Sequence, residues 1–295
     1  MSTRDLLLAL LAVTIWGGNI IAVKLGVADF PPLLMTALRL LIAAAVLLPF
    51  ARVQRRNLPW ILLLSFSFST LHFSLMFLGL KTAEAGTGAI LLQMGTPLAT
   101  LLGVLLFKER LAPLQIAGLL ISLSGVGLLS FSPSIPPLLP FCLLLGSALA
   151  WAVSNLIVKY APAMNMMELI CWSSFFGAPQ VALASYCFEQ DQLQALRHAG
   201  WLAWLSVSYC AVLSSALGYW IWYGLLRRYP VSKVVPLSLL SPVLSVIFGV
   251  LVFHDALDPG KSGGALLTVG GIVLMSYFGR GVKAAAAERS GKAQA

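Results

Sequence analysis

Several polar side chains stand inside stretches that otherwise suit hydrocarbon. His72, in STLHFSLMF, is the one mid-stretch group that titrates near neutral pH. Facing a wet cavity, it could bind a carboxylate or carry a proton; facing another helix, it would be a hydrogen-bonding strut. Gln93, in ILLQMGTP, comes one turn before Pro97, whose missing N–H frees a carbonyl and bends a helix. An amide beside freed backbone could contact an amine or a carboxylate. LSLLSPV repeats the arrangement with Ser238, Ser241 and the bend residue Pro242. Those serines either meet a solute or bond their own i−4 carbonyls. Asn19 and Asn155 follow Trp16 and Trp151, and either touch a solute or link helices, with Gly17 and Gly18 allowing close approach. The two tryptophans are cavity wall or packing. Tyr219, Trp222 and Tyr223 share a helical face as a wall, a gate or an interfacial belt. Arg39 needs a partner, a route outward, or a carboxylate to bind.

The stretches that hold these residues are membrane helices. Of the 295 residues, 59% are hydrophobic and 10% charged, and the mean hydropathy is +0.93. Soluble domains carry roughly 25% charged residues, so this chain could not cover a soluble surface. The net charge of +9 reflects membrane topology rather than nucleic-acid binding, since no basic stripe with interleaved aromatics is present. Cys142, Cys171, Cys187 and Cys210 form no CxxC pair and sit in apolar runs, as small hydrophobes do.

Apolar runs separate at about 5–27, 33–50, 58–80, 86–107, 113–131, 138–160, 166–188, 201–226, 232–253 and 261–279. This predicts an all-α integral membrane protein of ten spans with very short connections. The first run has no convincing small-x-small cleavage site and is expected to be a retained span. Residues 281–295 are expected to be a polar tail. With the N-terminus inside, fourteen Lys and Arg fall inside and four (Lys24, Lys81, Arg197 and Lys261) outside, which places both termini in the cytoplasm. No carboxylate falls in mid-span.

The chain repeats itself. WGGNIIAVK and WAVSNLIVK align Trp16 with Trp151 and Lys24 with Lys159, 135 positions apart. Gly79 matches Gly224 and Pro97 matches Pro242, 145 apart. After one inserted residue, Gly118 matches Gly264 and Gly125 matches Gly271. The halves, residues 1–132 and 136–280, each hold five spans. Five is odd, so the second half enters the membrane upside down. Inverted repeats are a device of secondary transporters.

The pieces WGGN, ALRLLIAA around Arg39, and FKERLAPLQIAGLLISLSGVGLL, with their second-half counterparts, resemble the EamA family of the drug/metabolite transporter superfamily over nearly the whole chain. The opening and GYWIWYGLLRRYPVSKVVPLSLLSPV look most like the subgroup named for exporting cysteine and O-acetylserine. FHDAL departs from the family pattern, with Asp255 where a Glu is common. The resemblance implies a bacterial inner-membrane exporter with a central cavity lined by helices 1, 3, 4, 6, 8 and 9, worked by alternating access. It implies a small-molecule substrate, lipid surroundings, no nucleic acid and no cofactor. His72 would couple protons, or the substrate would run down its own gradient. Other amino acids, nucleobases and cationic drugs are alternative substrates.

An intramembrane enzyme is the competing class. It needs a nucleophile–base pair or a metal cluster. The sequence has no HExxH, GxSxG or Walker A pattern, and His198 and His254 fall in predicted outer loops.

Overall fold

The computed structural model describes residues 1–52, 54–107, 111–129, 136–162, 164–229, 234, 237–238 and 240–274. The side chain of Tyr223, the polar tail 281–295 and the end of the last predicted run lie outside the described residues. Among the described residues there is no strand: helices are joined by short turns and irregular connections. That follows from the solvent: hydrocarbon offers backbone groups no hydrogen bonds, so each segment satisfies its own.

The helices are α1 (Thr3–Asp29), α2 (Pro32–Leu47), α3, α4, α5 (Pro113–Leu129), α6 (Leu138–Tyr160), α7 (Met166–Phe188), α8, α9 (Leu240–Phe253) and α10 (259–274). Three are composite. α3 runs Leu58–Leu64, widens into a π-helix at Ser65–His72 and closes as Phe73–Leu80. α8 does likewise, with Trp201–Ser208, a π stretch at Tyr209–Gly218, then Tyr219–Arg228. α4 is Ala85–Leu92 followed by Gly95–Phe107. Six stretches are long and apolar enough to cross a membrane: Thr3–Asp29, Pro32–Phe50, Arg55–Leu80, Ala85–Leu106, Leu138–Tyr160 and Trp201–Trp222. The chain is a multi-pass membrane protein.

One connection departs from expectation: after α7, Gln192–His198 forms a short helix. The start of the run predicted at 232–253 lies partly outside the described residues; α9, described from Leu240, holds Pro242 in its first turn, where a missing N–H costs no helical bond. Pro97 holds the same place in the second piece of α4.

Contacts come in matched pairs. α2 packs along α7, and α4 along α9. α1 packs on α8 and α9, while α6 packs on α3 and α4. α5 and α10 meet through small residues: a Cβ on Gly125 would lie 2.8 Å from the Gly264 carbonyl, and one on Gly271 would lie 2.6 Å from the Gly118 carbonyl. Absent side chains let these backbones approach, the usual device where hydrophobicity gives helices no reason to associate.

Candidate functional site

The two π stretches carry much of the polar chemistry between helices. A π turn shifts side chains out of the 3.6-residue pattern, and such turns gather at functional sites. In α3, Ser67 Oγ lies 2.9 Å from both Ser154 Oγ and the Ala150 carbonyl of α6. Thr70 Oγ1 donates to Gln180 Oε1 of α7 (2.9 Å), and Gln180 Nε2 donates back to Ser65 Oγ (2.9 Å). In α8, the Tyr209 hydroxyl donates to the Ile15 carbonyl (2.9 Å), and Trp16 Nε1 donates to the Ser214 carbonyl (3.2 Å).

Between α3, α6, α7 and α8 lies a cavity of about 170 Å³, the volume of roughly five waters at about 30 Å³ each. Phe68, Trp151 and Tyr219 give it aromatic walls. Ser154, Asn155 and Ser173 give it polar atoms, and Leu64, Val158, Met166, Leu169 and Ile170 complete it. All of these residues sit toward the helix ends that carry Arg55, Arg56, Lys159 and Arg228. Asn155 spends one amide hydrogen on the Trp151 carbonyl (2.8 Å), which fixes its side chain along α6. A Cβ on Gly95 would stand 2.6 Å from the Trp151 ring, so α4 presses on the indole from behind.

The candidate residues divide by position. Trp151, Asn155 and Tyr219 line the cavity. Trp16 and Trp222 pack edge-on next to it: the Trp16 ring centroid lies 5.2 Å from that of Tyr219 and 5.1 Å from that of Trp222. His72 stands behind Phe68, with the rings stacked at 5.4 Å. Its Nδ1 meets the Ser147 carbonyl at 3.0 Å and Ser147 Oγ at 2.8 Å, while that hydroxyl also reaches the His72 carbonyl (2.8 Å). A carbonyl only accepts, so Nδ1 carries the hydrogen and the ring is tied to α6.

The remaining candidates are on α1, α4 and before or at the start of α9, outside this lining. Asn19 Oδ1 is buried without a hydrogen-bond partner. Gln93 ends the first piece of α4, where its N–H reaches only as far as the Ile90 carbonyl (3.1 Å). Its carbonyl, which the N–H missing at Pro97 would have met, accepts from Thr96 at 3.2 Å. Ser238 precedes α9, and the Ser241 carbonyl accepts from Ser245 Oγ (3.1 Å). The lining expected from helices 1, 3, 4, 6, 8 and 9 is thus met here by α3, α6 and α8, with α7 added. α7 carries Ser173, Ser174, Gln180 and Ser185, polar for a helix facing lipid all round.

The opposite end is shut by charge. Lys261, 1% exposed, donates to Glu84 Oε2 at 2.6 Å and to the Ala256 carbonyl at 3.0 Å. Asp255 Oδ2 accepts from the Gly86 N–H (3.1 Å) in the first turn of α4, where a carboxylate also meets the positive end of the helix dipole. Lys24 is also tied between helices here. It donates to the Ala83 carbonyl and lies 5.3 Å above the Phe253 ring. Nearby, Glu189 accepts from the Leu33 and Leu34 N–H groups (2.8 and 3.0 Å), capping α2 from α7. Asp29 accepts from the Gly200 N–H (2.9 Å). This clasp was not read from the sequence. Its signal was the clustering of Lys24, Glu84, Asp255 and Lys261 in or near the short connections at one end.

The family described as the EamA-like transporter family matches residues 3–131 and again 138–277. A protein of Salmonella typhimurium named "Probable amino-acid metabolite efflux pump" is 33% identical over 291 residues, covering 95% of this chain and 96% of that one. Its namesake in Escherichia coli is 31% identical over the same shares. One solved crystal structure superimposes with a TM-score of 0.61 over 96% of this chain and 99% of that chain, at 22% identity.

Proposed function

The chain belongs to the EamA-like transporter family of the drug/metabolite transporter superfamily, and from that premise we propose that it exports small amino-acid metabolites by alternating access. The two matched stretches are two five-helix halves in inverted topology, residues 1–132 and 136–280, making ten spans with cytoplasmic termini. The membrane is a bacterial inner membrane. The matched contact pairs, the π stretch in α3 and again in α8, and the proline in the first turn of α9 and of the second piece of α4 support this reading.

The observation that carries the proposal is the pairing of an open end with a shut one. The cavity sits at the arginine-rich end, which the distribution of Lys and Arg assigns to the cytoplasm. The clasp of Lys261, Glu84, Asp255 and Lys24 closes the other. Solute enters beside Trp151, Asn155 and Tyr219 and leaves when the clasp parts. Asn19, Gln93, Ser238 and Ser241 stand on the remaining path, with Trp16 and Trp222 as its wall. Cysteine and O-acetylserine are the first substrates to try. A second reading has a specific observation behind it: walls of Phe68, Trp151 and Tyr219 suit an amino acid with an apolar or aromatic side chain.

Counterflow tests the proposal. Proteoliposomes are loaded with unlabelled amino acids, and labelled cysteine, serine, threonine, methionine and phenylalanine are offered outside, with and without a pH gradient. Accumulation of one or more is the expected result. Accumulation of none contradicts the amino-acid reading. A response to the pH gradient shows proton coupling and makes His72 the first residue to substitute.

A further inference from the structure

Among the described residues, Arg39 is a fully buried cation without a counter-ion. It sits within α2, 3% exposed, with no carboxylate in ion-pair range among the described residues. Its guanidinium carbon lies 3.8 Å from the centroid of the Phe73 ring and 5.7 Å from that of Phe77. Nη2 donates to Ser215 Oγ of α8 (3.1 Å). Nε and Nη1 are buried with no acceptor. A cation–π contact and one hydroxyl do not repay the desolvation of a guanidinium, which a carboxylate normally offsets with two parallel hydrogen bonds.

The missing acceptor has a place to come from. Ser215 is one turn from Tyr219 on α8, and Tyr219 lines the cavity. Phe73 packs on Phe68 with centroids 4.8 Å apart, and Phe68 lines the cavity too. The guanidinium is therefore one side chain behind the cavity wall on two sides, and both screens are aromatic rings that a rotamer change would swing aside. Arg39 also stands between the halves, joining α2 and α3 to α8.

We propose that Arg39 is the group that recognises the carboxylate of the transported solute. The inference rests on reading the cavity as a solute route. Carboxylate enters past Phe68 and Tyr219, binds Nε and Nη1, and supplies the charge that the membrane interior lacks. Solutes without a carboxylate leave the guanidinium unpaired and are disfavoured.

The test uses the purified full chain in detergent, with propionate and propionamide as probes of equal shape. Propionate at saturating concentration raises the unfolding midpoint of the wild type by ~2–5 °C, and propionamide does not. Arg39→Gln and Arg39→Met abolish the propionate shift. Arg39→Met alone, having no buried charge to compensate, unfolds at or above the wild-type midpoint. A wild type that does not respond to propionate overturns the proposal. So does an Arg39→Met protein that keeps the shift. If Arg39→Met does not fold, Arg39→Gln decides by the shift alone. Amino-acid counterflow fails independently: a propionate response with no amino-acid exchange leaves Arg39 in this role and removes the amino-acid substrate.

Discussion

The two ends of the molecule are held together by different chemistry. At one end the ties between helices are short, charged and part-buried: Lys261 to Glu84, Asp255 to Gly86, Glu189 to the start of α2. At the other, the tie of this kind between described residues joins α1 to α8, where Asp5 accepts from Tyr229 (2.7 Å) and from a largely exposed Arg228 (3.3 Å). The space between α3, α6, α7 and α8 there is a cavity walled by rings and amides. Charges buried in pairs hold one geometry and resist separation, because each loses its partner before water reaches it. Rings and single hydrogen bonds yield more easily. The difference teaches which end is tied by charge and which by rings and single hydrogen bonds.

The largest effect is expected at the clasp. Glu84→Ala leaves the Lys261 ammonium with the Ala256 carbonyl alone. Breaking a fully buried pair costs about 3–5 kcal/mol, and with the Glu84 side chain 33% exposed the expected loss is nearer ~2 kcal/mol. Thermal unfolding of the purified protein reads it, and Glu84→Ala with Lys261→Met recovers most of it. A single variant as stable as wild type would mean that this pair is not what shuts the end.

At the cavity the balance reverses, with transport lost more than stability. Trp151→Ala lowers initial counterflow about tenfold, equivalent to ~1.4 kcal/mol, per folded protein in the membrane. An undiminished rate would take Trp151 out of the route. Ser147→Ala sits behind the cavity. It removes the hydroxyl from His72 and costs about 1 kcal/mol of stability, measured by the same unfolding assay. No loss would show that the Ser147 carbonyl alone holds the ring. The smallest effect is Asn155→Ala. This exposed side chain bonds its own helix, so stability stays within ~0.5 kcal/mol while counterflow falls roughly twofold. A larger loss of stability would make Asn155 part of the scaffold.

Much of the helical order was legible in the sequence, because hydrocarbon length and charge clusters set it. The runs 58–80, 138–160 and 166–188 are helical throughout, with breaks before Arg55, at Pro136–Pro137 and at Asn165, which caps α7 through the Met167 N–H (3.1 Å). The π stretches were not legible. SFSFSTLH and YCAVLSSALG are serine-bearing but otherwise ordinary helix sequence, and the wider turn comes from cross-helix bonds such as Thr70 to Gln180. Trp151, Asn155 and Tyr219 could be found as polar or aromatic groups at depth. Phe68 and Ile170 could not, since an apolar side chain looks the same whether it faces lipid or a cavity. The clasp was missed because its residues are distant in sequence, Glu84 and Lys261 being joined only when the halves meet.

The central claim is that solute reaches Trp151, Asn155 and Tyr219 from the arginine-rich, cytoplasmic end while the clasp shuts the other. The direct measurement is maleimide labelling of Asn155→Cys, with Cys142, Cys171, Cys187 and Cys210 replaced, using a membrane-impermeant reagent on inside-out and right-side-out vesicles. The account predicts fast reaction in inside-out vesicles, slow reaction in right-side-out vesicles, and slowing by threonine or methionine on the reactive side. Equal or faster reaction from the outer face would contradict it.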